Sequence, residues 1–431
     1  MEEKVHIQEG LYYHSNACAI GGSDEKFTPA ELTSEYHYSI NQLNIGSVYT
    51  CNMRCKYCYN EKDYKDLKGS ESRGKLADNL SRKAINDLFD NADPTDKTLF
   101  LFFAGGEVTI DQKGLLNAIR HARKRESMGP FTVRITVYTN GTLLTDDLMR
   151  ELTRLRVNLV FSLDGPPAIH DKNRIFHNGD GTSEVILNNI YRYFEQYSPT
   201  IRQVRCVVSD PSVRSDKLHE YFFRLGFNNI ECQPSFSEIS ISSSLTNTYF
   251  DSLSNWYMDK IRQGIYINVA PFYSVFQKLA SEGNVITSHF PCSNGRYAIG
   301  LDNAGNYYSC HHYFGETEKI IGRVESGFPG ELIMQNLNRD VDSRVCRNCW
   351  AKYLCGGECY QRAEVSGKGY FGVDSKWCDI KKHYFHLALK NFVELAAEHR
   401  DNLIALLNKG MTIPKCDPKI YKLASFGEQL P

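Results

Sequence analysis

The sequence has no apolar run approaching the roughly 18 residues of a bilayer span, so no membrane helix is expected. Its opening, Met1-Glu2-Glu3-Lys4-Val5-His6, has no apolar core of the kind a signal peptide carries, and the expected location is the cytoplasm. Net charge is also missing: 50 basic residues against 51 acidic ones leave −1. Without a global field there is no pull toward nucleic acid or an anionic membrane, and neither is expected as a partner. What the chain does have is cysteine. Fourteen of them in a cytoplasmic chain point to metal rather than disulfides. A length of 431 residues suggests two or three domains at roughly 150 residues each, and 12% aromatics suggest a large packed core.

The chain is organised around Cys51-Asn52-Met53-Arg54-Cys55-Lys56-Tyr57-Cys58-Tyr59-Asn60, a C-x3-C-x2-C pattern with an aromatic residue before the last cysteine. Each thiolate can take one iron of a cubane cluster. Three ligands on four irons leave one iron open, and an open iron is a place for chemistry. The bland alternatives are a zinc knuckle and buried thiols. Zinc wants four ligands, usually in C-x2-C pairs, and no fourth is near. A polar, basic loop is also a poor place to bury three cysteines.

This stretch resembles the cluster loop of the radical S-adenosylmethionine (SAM) superfamily. The resemblance implies that SAM chelates the open iron through its amino and carboxylate groups, and that Tyr57 lies at the cofactor. It also implies that one electron from the cluster cleaves SAM to a 5′-deoxyadenosyl radical.

From Tyr38 the pattern is strand then helix, six times. Strands are expected at Tyr38–Gly46, Thr98–Phe103, Phe131–Thr139, Val157–Leu163, Ile201–Val208 and Asn229–Gln233. Helices are expected near Ser81–Asn91, Gln112–Arg125, after Thr145, Thr182–Gln196, Ser215–Leu225 and Asn247–Gln263. Such units imply parallel strands with right-handed crossovers and chemistry in the loops at the strands' C-terminal ends. The cysteine loop follows the first strand. The fold class is therefore α/β, sharpened by the resemblance to a partial (β/α)6 TIM-like barrel followed by a small cysteine-rich iron–sulfur domain. The expected division is an N-terminal extension over 1–37, the barrel over 38–285, the cluster domain over 286–385 and a C-terminal helix and tail over 386–431. The extension is read as a small cap or a strand, too short for a complete leader-binding winged-helix domain.

Ala104-Gly105-Gly106-Glu107 ends the second strand. Paired glycines let a ligand approach the backbone closely, and Glu107 can accept a hydrogen bond from a ligand ammonium; a simple turn is the alternative. The segment resembles the superfamily's GGE motif at the SAM amino group, with Val108 where proline is usual. Tyr138-Thr139-Asn140-Gly141 resembles its T-N-G stretch, though an Asn-Gly turn explains the same residues. Ser162-Leu163-Asp164-Gly165, followed by His170-Asp171-Lys172-Asn173-Arg174, resembles S-x-D-G…H-D-x-x-R of members carrying extra clusters. There Ser162 is placed near the SAM ribose or carboxylate. Asp164 either serves the site or bonds the following loop, and Arg174 pairs with the SAM carboxylate or with Asp171. Cys206 and Cys232, each alone in apolar surroundings, read as small core residues; Cys18 reads as a plain thiol.

A second array comprises Cys292, Cys310, Cys346, Cys349, Cys355, Cys359 and Cys378. The closing run C-x2-C-x5-C-x3-C departs from a zinc ribbon, and seven cysteines exceed what one zinc uses. The array resembles the SPASM domain. Position by position, that resemblance implies one auxiliary cluster on Cys292, Cys310 and Cys359 and another on Cys346, Cys349, Cys355 and Cys378, three [4Fe-4S] clusters in all. No cysteine lies between Cys292 and Cys310, so the first auxiliary cluster is expected to have an open iron, with His311, His312 and Asp302 as candidate ligands. Lys381–Asn408 reads as a helix, and Cys416 as a plain thiol or a late ligand.

The resemblance spans residues 38 to about 385 and implies a maturase of a ribosomally synthesised precursor peptide. Its product would be an oxidative crosslink, thioether or carbon–carbon. Implied partners are the peptide, a reducing protein such as flavodoxin or ferredoxin, and a separate leader-binding protein. Among enzymes, the alternatives are an anaerobic sulfatase-maturating, formylglycine-forming activity and oxidation of a small molecule. The first is weakened by His311 standing where such enzymes carry an aspartate as proposed base. An alternative of another class is a non-catalytic iron–sulfur electron carrier. No spacing singles out a catalytic base.

Overall fold

The computed structural model describes residues 4–8, 10–14, 18–25, 39–58, 74–210, 212–235, 243–280, 289–408 and 410–423. Tyr38, Tyr59, Asn60 and the boundaries expected at 37/38 and 285/286 lie outside the described residues. The chain forms two compact units, each built from segments far apart in sequence: residues 1–36, 206–292 and 339–414, and residues 37–205, 293–338 and 415–431. Among the described residues no disulfide is formed.

The first of these units begins with strands β1 (Lys4–Gln8), β2 (Leu11–His14) and β3 (Ala19–Gly22). They form an antiparallel meander in which β2 is central. Ile7, Tyr13, His14 and Cys18 are buried in it. The expected cap is thus a small sheet.

The second unit carries β4 (Gln42–Gly46), β5 (Thr98–Ala104), β6 (Thr132–Thr139), β7 (Val157–Ser162) and the start of β8 (Gln203–Val208). Neighbours in this series are all parallel. Leu43 lies beside Leu101, Leu101 beside Ile135 and Ile135 beside Val157. These residues form one apolar row across the sheet and are almost fully enclosed. Each such side chain contributes roughly 1.5–3 kcal/mol on burial. Helices cover the connections. In Gln112–Glu126 the buried residues Leu115, Ala118, Ile119 and Ala122 recur at helical spacing, and the Asp111 carboxylate caps the start by accepting from Gly114 N. In Asp146–Arg154 Thr145 is the N-cap, accepting from Leu148 N at 3.2 Å.

The sixth strand–helix unit, β9 (Asn229–Pro234) with helix Ser243–Arg262, lies in the first unit, where β9 is paired in parallel by β10 (Asn268–Val269). Cys206 and Cys232 are buried there as core residues.

A strand unmarked in the sequence extends the parallel series on its other side. β11 (Ala298–Leu301) pairs in parallel with β4, Ile299 beside Leu43, and continues into antiparallel β12 (Asn306–Tyr308) and β13 (Ile320–Arg323). All four β11 residues are buried. Four residues including a glycine give too little pattern to read as a strand.

The expected helix over 381–408 is two. Ser375–Glu398 begins earlier, where the Asp374 carboxylate accepts from Lys376 N at 3.0 Å, and ends at His399 before a separate helix Arg400–Asn408. Cys378 therefore sits on a helix, three residues before Lys381.

Candidate active site

Loops at the C-terminal ends of β4, β5, β6 and β7 carry the cysteine loop, Gly105–Glu107, Asn140 and Asp164. Residues 53–56 are held edge to edge by 173–176. Arg54 N donates to Ile175 O at 2.8 Å, Lys56 N to Asn173 O at 3.0 Å, and Met53 bridges Phe176. His177 Nε2 lies 3.0 Å from Cys51 O.

The H-D-x-x-R segment is largely the frame for this loop. The Asp164 carboxylate accepts from the Tyr57 hydroxyl and ion-pairs with Arg174 Nε at 3.0 Å; the Arg174 guanidinium lies 5.4 Å from the Tyr57 ring centre. Burial pulls the Arg174 pKa down, but Asp164, Tyr57 and Cys55 together outweigh it and the net shift is upward. Of the two pairings expected for Arg174, the one with Asp171 is not formed among the described residues. Asp171 instead caps the helix that starts at Ser183, accepting from Thr182 N, Ser183 N and Ser183 Oγ. His170 Nδ1 accepts from Asp164 N, and Thr182 Oγ1 donates to Arg174 O, so the His170 proton is on Nε2, facing Thr182 Oγ1 at 3.0 Å. Burial and the Arg174 charge hold this imidazole well below its usual pKa.

The glycine pair serves the chain's own backbone. A Cβ on Gly106 would stand 2.2 Å from Thr50 O, and Gly105 has φ +139° with Val48 O 2.7 Å from its Cβ position. Both thus let the loop after β5 lie against the strand running into Cys51. Glu107 is buried. Its Oε1 accepts from Thr109 N, Thr109 Oγ1 and Thr139 Oγ1, and its Oε2 accepts from Asn140 N at 2.6 Å. A carboxylate has about four acceptor directions, so only Oε2 retains one. Burial raises the Glu107 carboxyl, and the four donors oppose it. Asn140 Nδ2 donates to Asn52 Oδ1 at 2.9 Å and reaches Cys51 Sγ at 3.8 Å. Ser162 is half-buried at the end of β7, its backbone paired with Arg205.

Burial lifts the Cys51 thiol to about 12 and the Cys55 thiol to about 11, the latter despite Arg174. A bound cation would draw both to thiolates.

In the array, Cys346, Cys349, Cys355 and Cys378 form one electrostatic group. Burial raises Cys346, with Cys355 and Cys349 adding and Arg344 opposing. Burial lifts Cys378 to about 12, with Cys355, Glu358 and Cys346 adding. Lys381 Nζ donates to Cys355 Sγ at 3.4 Å and to Gly357 O at 3.2 Å. Cys359 sits at the position preceding the helix Tyr360–Val365, and its amide donates to Glu358 Oε1. Cys292 is half-buried. In the other unit Cys310 is buried, its sulfur accepting from Asn294 Nδ2 at 3.4 Å.

Asp302, an expected candidate ligand, is a turn residue. Its Oδ1 accepts from Ala304 N and Asn306 N, and its Oδ2 accepts from Asn306 Nδ2 and Tyr308 OH. No acceptor direction remains for a metal. The His311 and His312 rings are tilted by 34° with centres 4.4 Å apart, and burial, with His312 and Arg205, pushes the His311 imidazole down to about 3. Cys416 accepts from Arg202 Nη1 at 3.5 Å.

The spacing of the thiols separates zinc from a cluster. Four sulfurs on one zinc stand about 3.8 Å apart, given tetrahedral 2.3 Å bonds. Among the described residues the only His, Cys, Asp or Glu trio with all ligand atoms within 4.8 Å is Glu394, Glu398 and His399, partly exposed side chains at a helix end. No three of the loop or array thiols meet that limit, so they are spread wider than one zinc gathers.

The fold and site define a parallel α/β protein with a thiol-rich loop at the active edge of its sheet. Residues 46–209 match the radical SAM superfamily. The chain carries a radical SAM domain over these residues and is an enzyme. It is 24% identical over 378 residues to a cysteine-type anaerobic sulfatase-maturating enzyme of Clostridium novyi, covering 83% of this chain and 97% of the relative. Its fold resembles native anSMEcpe with bound AdoMet, with TM-score 0.68, 18% identity and coverage of 83% and 99%. It also resembles Streptococcus suis SuiB bound to precursor peptide SuiA, with TM-score 0.54, 13% identity and coverage of 79% and 76%. Among the described residues no helix is long and apolar enough to cross a membrane.

Proposed function

We propose that this radical SAM enzyme installs an oxidative crosslink in a ribosomally synthesised peptide. Cys51, Cys55 and Cys58 hold the SAM-binding cluster in this reading. Cys346, Cys349, Cys355 and Cys378 hold an auxiliary cluster. Cys292, Cys310 and Cys359 are assigned to a further one on the sequence framework. When bound, the cluster and SAM supply the electron and the carbon radical that removes a hydrogen atom from the substrate.

The chain's own residues do the positioning. Asp164 and Arg174 fix Tyr57 between Cys55 and Cys58. Glu107 fixes Asn140 beside Cys51 and keeps one Oε2 direction for the SAM ammonium. Gly105 and Gly106 seat the loop that carries Glu107. Ser162 lies at the strand end next in line. The observation that carries the reading is the presence of two separate thiol groupings, each spread wider than one zinc uses. A catalytic centre needs one cluster to start a radical. A second can take up the electron that leaves the substrate in a net oxidation.

The peptide class is supported by SuiB, solved with a precursor peptide. A formylglycine-forming reading is favoured by full-length similarity to a sulfatase-maturating enzyme. It is disfavoured by the buried His311, in place of an aspartate, directly after Cys310. A reducing protein such as flavodoxin or ferredoxin, and a leader-binding protein, complete the proposed set of partners.

The test is mass spectrometry of anaerobically reconstituted protein with SAM, dithionite and a small peptide encoded beside its gene. A peptide lighter by two hydrogens, with fragmentation suppressed between two residues, supports the crosslink. Conversion of a cysteine side chain to an aldehyde supports formylglycine formation instead.

A further inference from the structure

Lys381 occupies an unusual electrostatic position. Its half-buried ammonium has a buried carboxylate within interaction range, Glu358, yet it donates to Cys355 Sγ at 3.4 Å and to Gly357 O at 3.2 Å. Glu358 Oε2 is buried and has no hydrogen-bond partner among the described residues. An ammonium withdrawn from water needs negative charge close by. A neutral thiol is a weak acceptor and meets that need poorly, whereas a thiolate meets it well. Cys378, on the same helix face one turn earlier, joins the same group. Two further cations act on it: Arg344 on Cys346, and Lys278, whose ammonium donates to Leu354 O at 2.6 Å and feels Cys355.

We infer that Lys381 is a charged donor to the Cys355 sulfur and sets the reduction potential of the metal centre that Cys346, Cys349, Cys355 and Cys378 hold. The inference rests on the auxiliary-cluster reading above. Reduction of a [4Fe-4S] centre takes up one electron, here supplied by dithionite and in turnover by the substrate radical, and adds one negative charge. A fixed positive charge at the ligating sulfur stabilises the reduced form more than the oxidised one and raises the potential; hydrogen bonds to cluster sulfurs act in the same direction. Lys381 thus makes this centre the better electron acceptor, which suits a group that takes an electron from an oxidised substrate.

The experiment is an EPR-monitored redox titration of the reconstituted full-length protein, as wild type, Lys381→Met, Lys381→Arg and Cys355→Ala. Methionine keeps the aliphatic stem and removes the charge; arginine keeps the charge. The expected result is one titration step moved to lower potential in Lys381→Met, returned toward wild type in Lys381→Arg, with iron content unchanged and deoxyadenosine formation retained. A wild-type potential in Lys381→Met with full iron content overturns the inference while leaving the cluster reading intact. Undiminished iron and an unaltered spectrum in Cys355→Ala would overturn the cluster reading itself. If Lys381→Met loses that step and its iron while Lys381→Arg keeps both at an unchanged potential, Lys381 holds the fold rather than the potential.

Discussion

The backbone amide of Asn140 donates to Oε2 of Glu107 at 2.6 Å, so the end of β6 is fixed by a carboxylate from the end of β5. Three more donors converge on Oε1 of the same group. Asn140 in turn reaches the loop of Cys51 through Asn52. A residue named for a ligand contact is therefore first a joint between strand ends.

Glu107→Ala should destabilise the protein by about 1–3 kcal/mol or more, the cost of buried donors left unmatched. Glu107→Gln, which turns an amide toward some of those donors, should fall between. Urea unfolding of the two variants checks the order. Both should also form less deoxyadenosine, because Asn140 shifts relative to Cys51.

Arg174→Met leaves Asp164 buried without its cation. Removing one partner of a buried pair costs roughly 3–5 kcal/mol. The Tyr57 hydroxyl then loses the charged framework of its acceptor. Thermal melting should show the loss, and iron bound per chain should fall by the share of the loop cluster alone.

Asp302→Ala tests turn against ligand. Its four donors come from Ala304 in the β11–β12 connection and from Asn306 and Tyr308 of β12. Stability should drop by about 1–3 kcal/mol while iron content per folded chain stays at the wild-type value. Iron loss without destabilisation would restore Asp302 as a ligand.

Cys55→Ala should abolish deoxyadenosine formation and keep the array's iron. Cys355→Ala should lose array iron and still cleave SAM. Iron analysis with deoxyadenosine assays on both variants separates an enzyme from an electron carrier, which would show no SAM cleavage in either or in the wild type.

His170 gives a pH dependence of defined sign. Its folded pKa is depressed below the unfolded value of about 6.5. The unfolded chain then binds the proton more readily, so the stability His170 contributes is present above about pH 6.5 and declines as pH falls below it. Urea midpoints between pH 7.5 and 5 should show this acid loss, and it should be smaller in His170→Gln.

All six strand–helix units were legible from the sequence because each strand is a short apolar or alternating run and each is followed by a helical pattern. Thr145 and the helix it starts are an example. The cysteine loop was legible because ligand spacing along the chain is a local property. The split helix at His399 and the early start at Asp374 were not, since the apolar stripe runs on through both.

The sequence by itself determined the parallel α/β core, the loop of Cys51, Cys55 and Cys58, and the second cysteine array, because periodicity and spacing are written along the chain. Only the tertiary structure decided who partners whom. It gave Arg174 to Asp164 rather than Asp171, closed Asp302 to metal, laid β11 beside β4 and set Lys381 on a cysteine sulfur. These are choices among several chemically acceptable partners, and distance in the fold makes them.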